Sequence, residues 1–82
     1  MTEDRTQWSP YEFAKEHREK MMKDVAARLK AWREARGYSV YKVALLCGTQ
    51  HASIKRVEEA HRGASADILL AYCDLAHIHI FD

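Results

Sequence analysis

The stretch from Val40 to Arg62, VYKVALLCGTQHASIKRVEEAHR, constrains this chain more than any other part of it. Ala44 is followed after four residues by Gly48, after six more by Ile54 and after three more by Val57, all between two short amphipathic helical patterns. Each position has a physical task. Where two helices cross closely the inner residue must be small, as Ala44 is. The tight turn between them needs a positive φ without a Cβ penalty, which Gly48 supplies. Ile54 and Val57, three apart, share one helical face and can pack back on the first helix. That leaves Gln50, His51, Ala52, Lys55 and Arg56 facing outward, and an exposed helix of this kind fits a DNA major groove.

With its flanks, the pattern resembles the Cro and phage-repressor type of helix-turn-helix domain, the xenobiotic-response-element-like family, from Val25 to Ile78. The resemblance is carried by Leu29, Arg33, Gly37, Ser39, Val43, Ala44, Gly48, Ser53, Ile54, Val57 and Glu58, followed by Leu69 and Ile78, with no gap needed from Gly37 to Leu69. It implies an all-α fold, a compact bundle of about five short helices around a central helix-turn-helix, that binds operator DNA, usually as a dimer. It also implies that Arg33 pairs with Glu58 as a structural ion pair, a partly buried fork that sets the angle between helices. On the residues alone, two solvated surface charges remain the alternative.

The chain departs from the family pattern at three places. Val40 stands where a polar residue, often Gln, contacts a phosphate. Ala60 stands where a glycine is expected, and Ala64 where a proline is. Without the glycine, the recognition helix is expected to run on to about Arg62 and stop at Gly63. The resemblance places its N-cap at Gln50, whereas Thr49 is chemically the better capper, so the register is open by one residue.

Composition agrees with a helical reading. The chain has 82 residues, 48% of them hydrophobic, with three glycines and one proline. It reads as one small domain that needs good packing or oligomerisation to support its core. The net charge of +1 conceals a division. Residues 1–19 hold three basic and five acidic groups, residues 20–63 hold ten and four, and residues 64–82 hold three acidic groups and no basic one. The positive field therefore gathers on the helix-turn-helix, as a nucleic-acid binder requires, although an incidental solvated face would look similar. Cys47 and Cys73 fall on apolar helix faces, so reduced, buried thiols in an intracellular protein are expected. No apolar run reaches the length of a membrane span, and Glu3, Asp4 and Arg5 interrupt any signal-peptide core, so a soluble cytoplasmic protein is expected.

Ser9, Pro10, Tyr11 and Glu12 form a capping box with proline at the first helical position. Tyr11, Ala14, Met21 or Met22, Val25, Leu29 and Trp32 continue an apolar stripe toward Gly37, which predicts a long helix. His17 and Arg18 interrupt the stripe, leaving a break near Lys20 open. The expected division is an N-terminal helical arm at 1–20, the helix-turn-helix domain at 21–78 and a C-terminal tail or dimerisation strand at 79–82. The arm is either a dimerisation element or a helix folded over Trp8, Tyr11 and Phe13. Ser65 can cap a further helix whose Ile68, Leu69, Tyr72 and Ala76 close the core. Ile78, His79, Ile80 and Phe81 then alternate, which reads as a short strand paired across a two-fold axis or as a frayed tail.

Cys73, His77 and His79 have the spacing of metal ligands, but a fourth is not apparent and no metal is expected. The chain carries no Gly-rich phosphate loop, Gly-x-Ser-x-Gly elbow or His-Glu-x-x-His pair, so neither an enzyme nor a cofactor is expected. The expected function is sequence-specific binding of double-stranded DNA by a transcriptional regulator, a repressor or antitoxin-like autoregulator acting as a homodimer. Gln50, His51, Ala52 and Arg56 would face base edges, Arg56 suiting bidentate contact with guanine and Ala52 a thymine methyl. Ser39, Tyr41, Ser53, Lys55, His61 and Arg62 would hold phosphates. The alternative is a protein-interaction module, in which Val40, Tyr41, His51 and Ala52 form an apolar patch for a partner protein such as a toxin.

Overall fold

A computed structural model describes residues 10–78, which form four helices: α1 (Pro10–Ala35), α2 (Val40–Cys47), α3 (His51–Glu58) and α4 (Ala66–Ala76). Pro10 opens α1, where its ring-set φ suits a helix and its missing N–H costs nothing. Ser9, the capping residue of the expected box, lies outside the described residues. The helix runs unbroken through Lys20 for 26 residues, a length of about 39 Å at the usual rise. The expected count of about five helices is therefore corrected to four among the described residues. The arm and the first helix of the family pattern are one element, because KEHREKMMKD at 15–24 has no glycine or proline and consists mostly of strong helix formers. His17 and Arg18 interrupt what the helix can pack on, not its backbone.

Only the second half of α1 enters the core. Val25 and Leu29 of α1, Val43 and Ala44 of α2, Ile54 and Val57 of α3, and Tyr72, Cys73 and Ala76 of α4 form one buried cluster. Trp32 packs against it and meets Tyr38 and Tyr72 edge-on, with ring centroids 5.8 Å and 6.3 Å apart. Such T-shaped pairs place a ring's positive edge on its neighbour's negative face. Tyr11 and Phe13, in the first turn of α1, are exposed.

All four helices end in the same backbone closure. A residue in the left-handed region follows the helix, and the next N–H reaches back to the carbonyl five residues before it. Gly37 and Gly48 do this for α1 and α2, with Tyr38 N donating to Arg33 O (3.1 Å) and Thr49 N to Ala44 O (2.9 Å). Ala60 and His77 do it for α3 and α4, at φ 53° and 57°, with His61 N donating to Arg56 O and Ile78 N to Cys73 O, each at 2.9 Å. These closures correct the expected end of the recognition helix. It stops at Glu58 rather than near Arg62, because Ala60 takes the left-handed turn itself and Gly63 does not have a positive φ.

The same logic resolves the start of α3. Its N-cap is Gln50, without a side-chain capping bond. Thr49, the better capper by chemistry, is already used in closing α2. Ser65 is the N-cap of α4, but its hydroxyl turns to the Asp67 carboxylate rather than to a backbone N–H. No strand occurs among the described residues. Ile78, where the expected alternation begins, packs against the core after the left-handed turn at His77. The rest of that alternation, at 79–82, lies outside the described residues. Among the described residues, no helix is long and apolar enough to cross a membrane.

Candidate nucleic-acid interface

Helix α3 divides cleanly along its length. Ile54 and Val57 are fully buried, while Gln50, Ala52, Lys55 and Arg56 are exposed. His51 and Ser53 are half-buried at its start. The buried side seats α3 on α2, where the small Ala44 permits the approach. Ser39 is the N-cap of α2 and its Oγ accepts from the Lys42 N–H at 3.0 Å, leaving its own hydroxyl proton for another acceptor. Val40 leans on the core rather than facing solvent. Tyr41, one residue on, is exposed and lies flat against His51. His61 and Arg62 follow the end of α3 and are both exposed. The His61 Nδ1 accepts from the Gly63 N–H at 2.8 Å, and Arg62 approaches Glu19 of α1 at 3.6 Å. An ion pair that exposed contributes little.

Behind the outward face, a polar network ties three helices together. Arg33 of α1 donates from Nε to Glu58 Oε2 (2.7 Å) and from Nη2 to Glu58 Oε1 (3.0 Å), a bidentate fork, while its Nη1 donates to the Tyr38 carbonyl (2.9 Å). The two side chains retain only 12% and 7% of their exposure. The carboxylate holds the Arg33 guanidinium further toward its charged form. Tyr72 of α4 completes the set. Its hydroxyl has one proton and two oxygen neighbours, Glu58 Oε2 at 2.6 Å and the Leu29 carbonyl at 3.2 Å, and the nearer carboxylate takes it. Burial, and next the bond to Glu58, push the Tyr72 phenol well up from its ordinary range. The sequence reading placed Tyr72 in the core as an apolar residue and missed this role. The available signal was the residue type, since a tyrosine at a fully buried helix position needs a partner for its hydroxyl where phenylalanine would not.

A family model described as a helix-turn-helix domain matches residues 24–78. The chain belongs to that family. No curated protein and no solved structure matches it. Membership makes the chain a DNA-binding regulator in general terms, with α2, the Gly48 turn and α3 as the motif. The matched segment begins inside α1, so the first turns of that helix lie outside it.

Within the domain both thiols are free, Cys73 buried and Cys47 half-buried, and burial pushes each of them up, away from reactive thiolate. Of the three residues with metal-ligand spacing, His77 is the left-handed closing residue of α4 and His79 lies outside the described residues.

Proposed function

We propose that this helix-turn-helix domain is a sequence-specific transcriptional regulator, a repressor or antitoxin-like autoregulator, that acts in the cytoplasm as a homodimer with α3 in the major groove of its operator. The observation that carries the proposal is the division of α3. A helix whose apolar side is wholly committed to the core presents Gln50, Ala52, Lys55 and Arg56 together to solvent, in the most basic part of the chain. In this reading Gln50, His51, Ala52 and Arg56 meet base edges, and Arg56 forks onto guanine. Ser39, Tyr41, Ser53, Lys55, His61 and Arg62 engage phosphates, Arg62 after releasing Glu19.

One recognition helix spans too few base pairs for useful specificity, so two copies reading half-sites about one helical turn apart are required. We assign the contact to residues 79–82, and the arm at 1–20 is the competing interface. Removing residues 79–82 should shift the protein to monomer in sedimentation velocity and weaken operator binding while the helical circular dichroism stays unchanged. A dimer that survives the truncation moves the interface to the arm.

Selection of bound sites from random duplex DNA, followed by a salt titration on the selected site, tests the function. A regulator enriches a defined half-site and loses affinity steeply with salt through counterion release. The second reading, a module that docks a partner protein such as a toxin, is favoured by the exposed Tyr41 and Leu45, one turn apart on α2. Val40 does not contribute to that patch, since it packs on the core. Absence of any enriched site would favour it.

A further inference from the structure

Among the described residues, Tyr41 and His51 form the one aromatic contact on the outward side of the motif. Their ring planes lie 9° apart with centroids separated by 4.4 Å, a face-to-face stack. The stack does not serve the core, because Tyr41 is 69% exposed and stands outside the buried cluster. It joins the second residue of α2 to the first residue of α3 across the Gly48 turn. Within the described residues neither ring nitrogen of His51 makes a hydrogen bond. A histidine here would otherwise sweep a broad range of ring orientations, since the torsion onto an aromatic ring has no sharp minima. A parallel tyrosine ring removes that freedom. Imidazole hydrogen bonds leave in the plane of the ring, so fixing the plane confines the N–H to that plane.

We infer that Tyr41 is a positioning residue for base readout, holding His51 so that its imidazole N–H reads a guanine in the half-site; this rests on the DNA-binding reading above. An imidazole keeps at least one N–H in either protonation state and therefore always offers a donor to the groove. Among the four major-groove edges, guanine presents two adjacent acceptors, N7 and O6. Adenine sets a donor beside its N7, cytosine offers a donor, and thymine sets a methyl beside its single acceptor. A rigidly held donor discriminates among these edges, whereas a loose one adapts to whichever acceptor is near. The tyrosine hydroxyl stays free at the rim for a phosphate, so the two functions of Tyr41 are separable by substitution.

The experiment is site selection from random duplexes with the full chain and its Tyr41→Phe, Tyr41→Ala and His51→Ala variants, each checked for unchanged thermal melting. The wild type should enrich guanine at one position per half-site. Tyr41→Phe keeps the stack, so it should keep that preference and lose only a uniform share of affinity. Tyr41→Ala and His51→Ala should each cut the guanine preference at that position by about five- to tenfold, and the double variant should cut it no further than either single one. If Tyr41→Ala weakens all duplexes equally and keeps the preference, the tyrosine is a phosphate contact only and the positioning role is overturned. If His51→Ala still selects guanine there, another residue reads it. Wild-type protein that enriches no duplex removes the DNA-binding reading itself, and this inference with it.

Discussion

Lys55 and Arg56 adjoin Val57 and Glu58 in the chain, and the two pairs face opposite ways. The first pair is exposed. Of the second, Val57 is fully buried and Glu58 is held by Arg33 and Tyr72 from two other helices. A single turn of α3 therefore carries a scaffold half and a reading half, with little overlap between them. The scaffold half sets the angle at which α3 leaves the domain, and the reading half uses that angle. Loss from the first should appear as instability, and loss from the second as weaker or less selective binding by a protein that still folds.

The largest expected effect tests the scaffold half. Glu58→Ala leaves the Arg33 guanidinium poorly exposed and without its carboxylate, and should cost about 3 kcal/mol in urea unfolding, as broken buried pairs do. A cost under about 1 kcal/mol would mean the fork behaves as a surface pair. Next comes the reading half. Arg56→Ala should lower operator affinity by about 1–3 kcal/mol and relax one base pair while leaving the unfolding midpoint in place. Lys55→Ala should weaken all duplexes alike and reduce the salt slope by about one. Equal, sequence-independent losses for both would merge Arg56 with the phosphate contacts.

Tyr72→Phe should cost about 1.5 kcal/mol, the lower end for a hydrogen bond to a charged group. It also carries a pH signature. Because the folded-state value of Tyr72 is raised, its contribution is complete below the ordinary phenol value of about 10 and fades as pH climbs toward the higher folded-state value. The wild type should therefore lose stability with alkalinity above about pH 10, and Tyr72→Phe should lose less over the same range. The buried thiols act in the same direction from lower pH, so the comparison must be made between the two proteins, not against a flat line. The smallest effect lies at the helix ends. Ala60→Gly should stabilise the fold by about 0.5–1 kcal/mol by relieving a left-handed alanine. Gly48→Ala should lose a similar amount through its backbone alone, since nothing lies within 4 Å of the added Cβ. A stabilising Gly48→Ala would break the contrast between the two kinds of helix end.

The core and the motif were legible because they rest on spacing. Ala44, Gly48, Ile54 and Val57 each answer a steric demand that any such helix pair imposes, and all four occupy the positions their spacing implied. The end of α3 was not legible, because the sequence offered Gly63 as the cheaper left-handed residue and the chain uses Ala60 instead. The turn at Ala60 lets the His61 N–H close on the Arg56 carbonyl, a bond that local propensity does not contain. Thr49 misled for a related reason, since its N–H serves the preceding helix. The sequence put Tyr41 and His51 in one patch but did not show the stack, because neither residue type signals the other and only the turn between them brings the rings face to face.

The continuity of α1 has a consequence for how the molecule breathes. An isolated helix of about ten residues barely holds together in water, because nucleation is costly and propagation gains little per residue. The turns before Met21 bury almost nothing, yet they need no nucleus of their own, since they extend a helix already anchored by Val25 and Leu29. Opening there can proceed from the N-terminal end of α1 one residue at a time, without disturbing the core. Amide exchange along α1 should accordingly form a gradient, slow as global unfolding at Leu29 and progressively faster toward Tyr11, within one helix that has no visible joint.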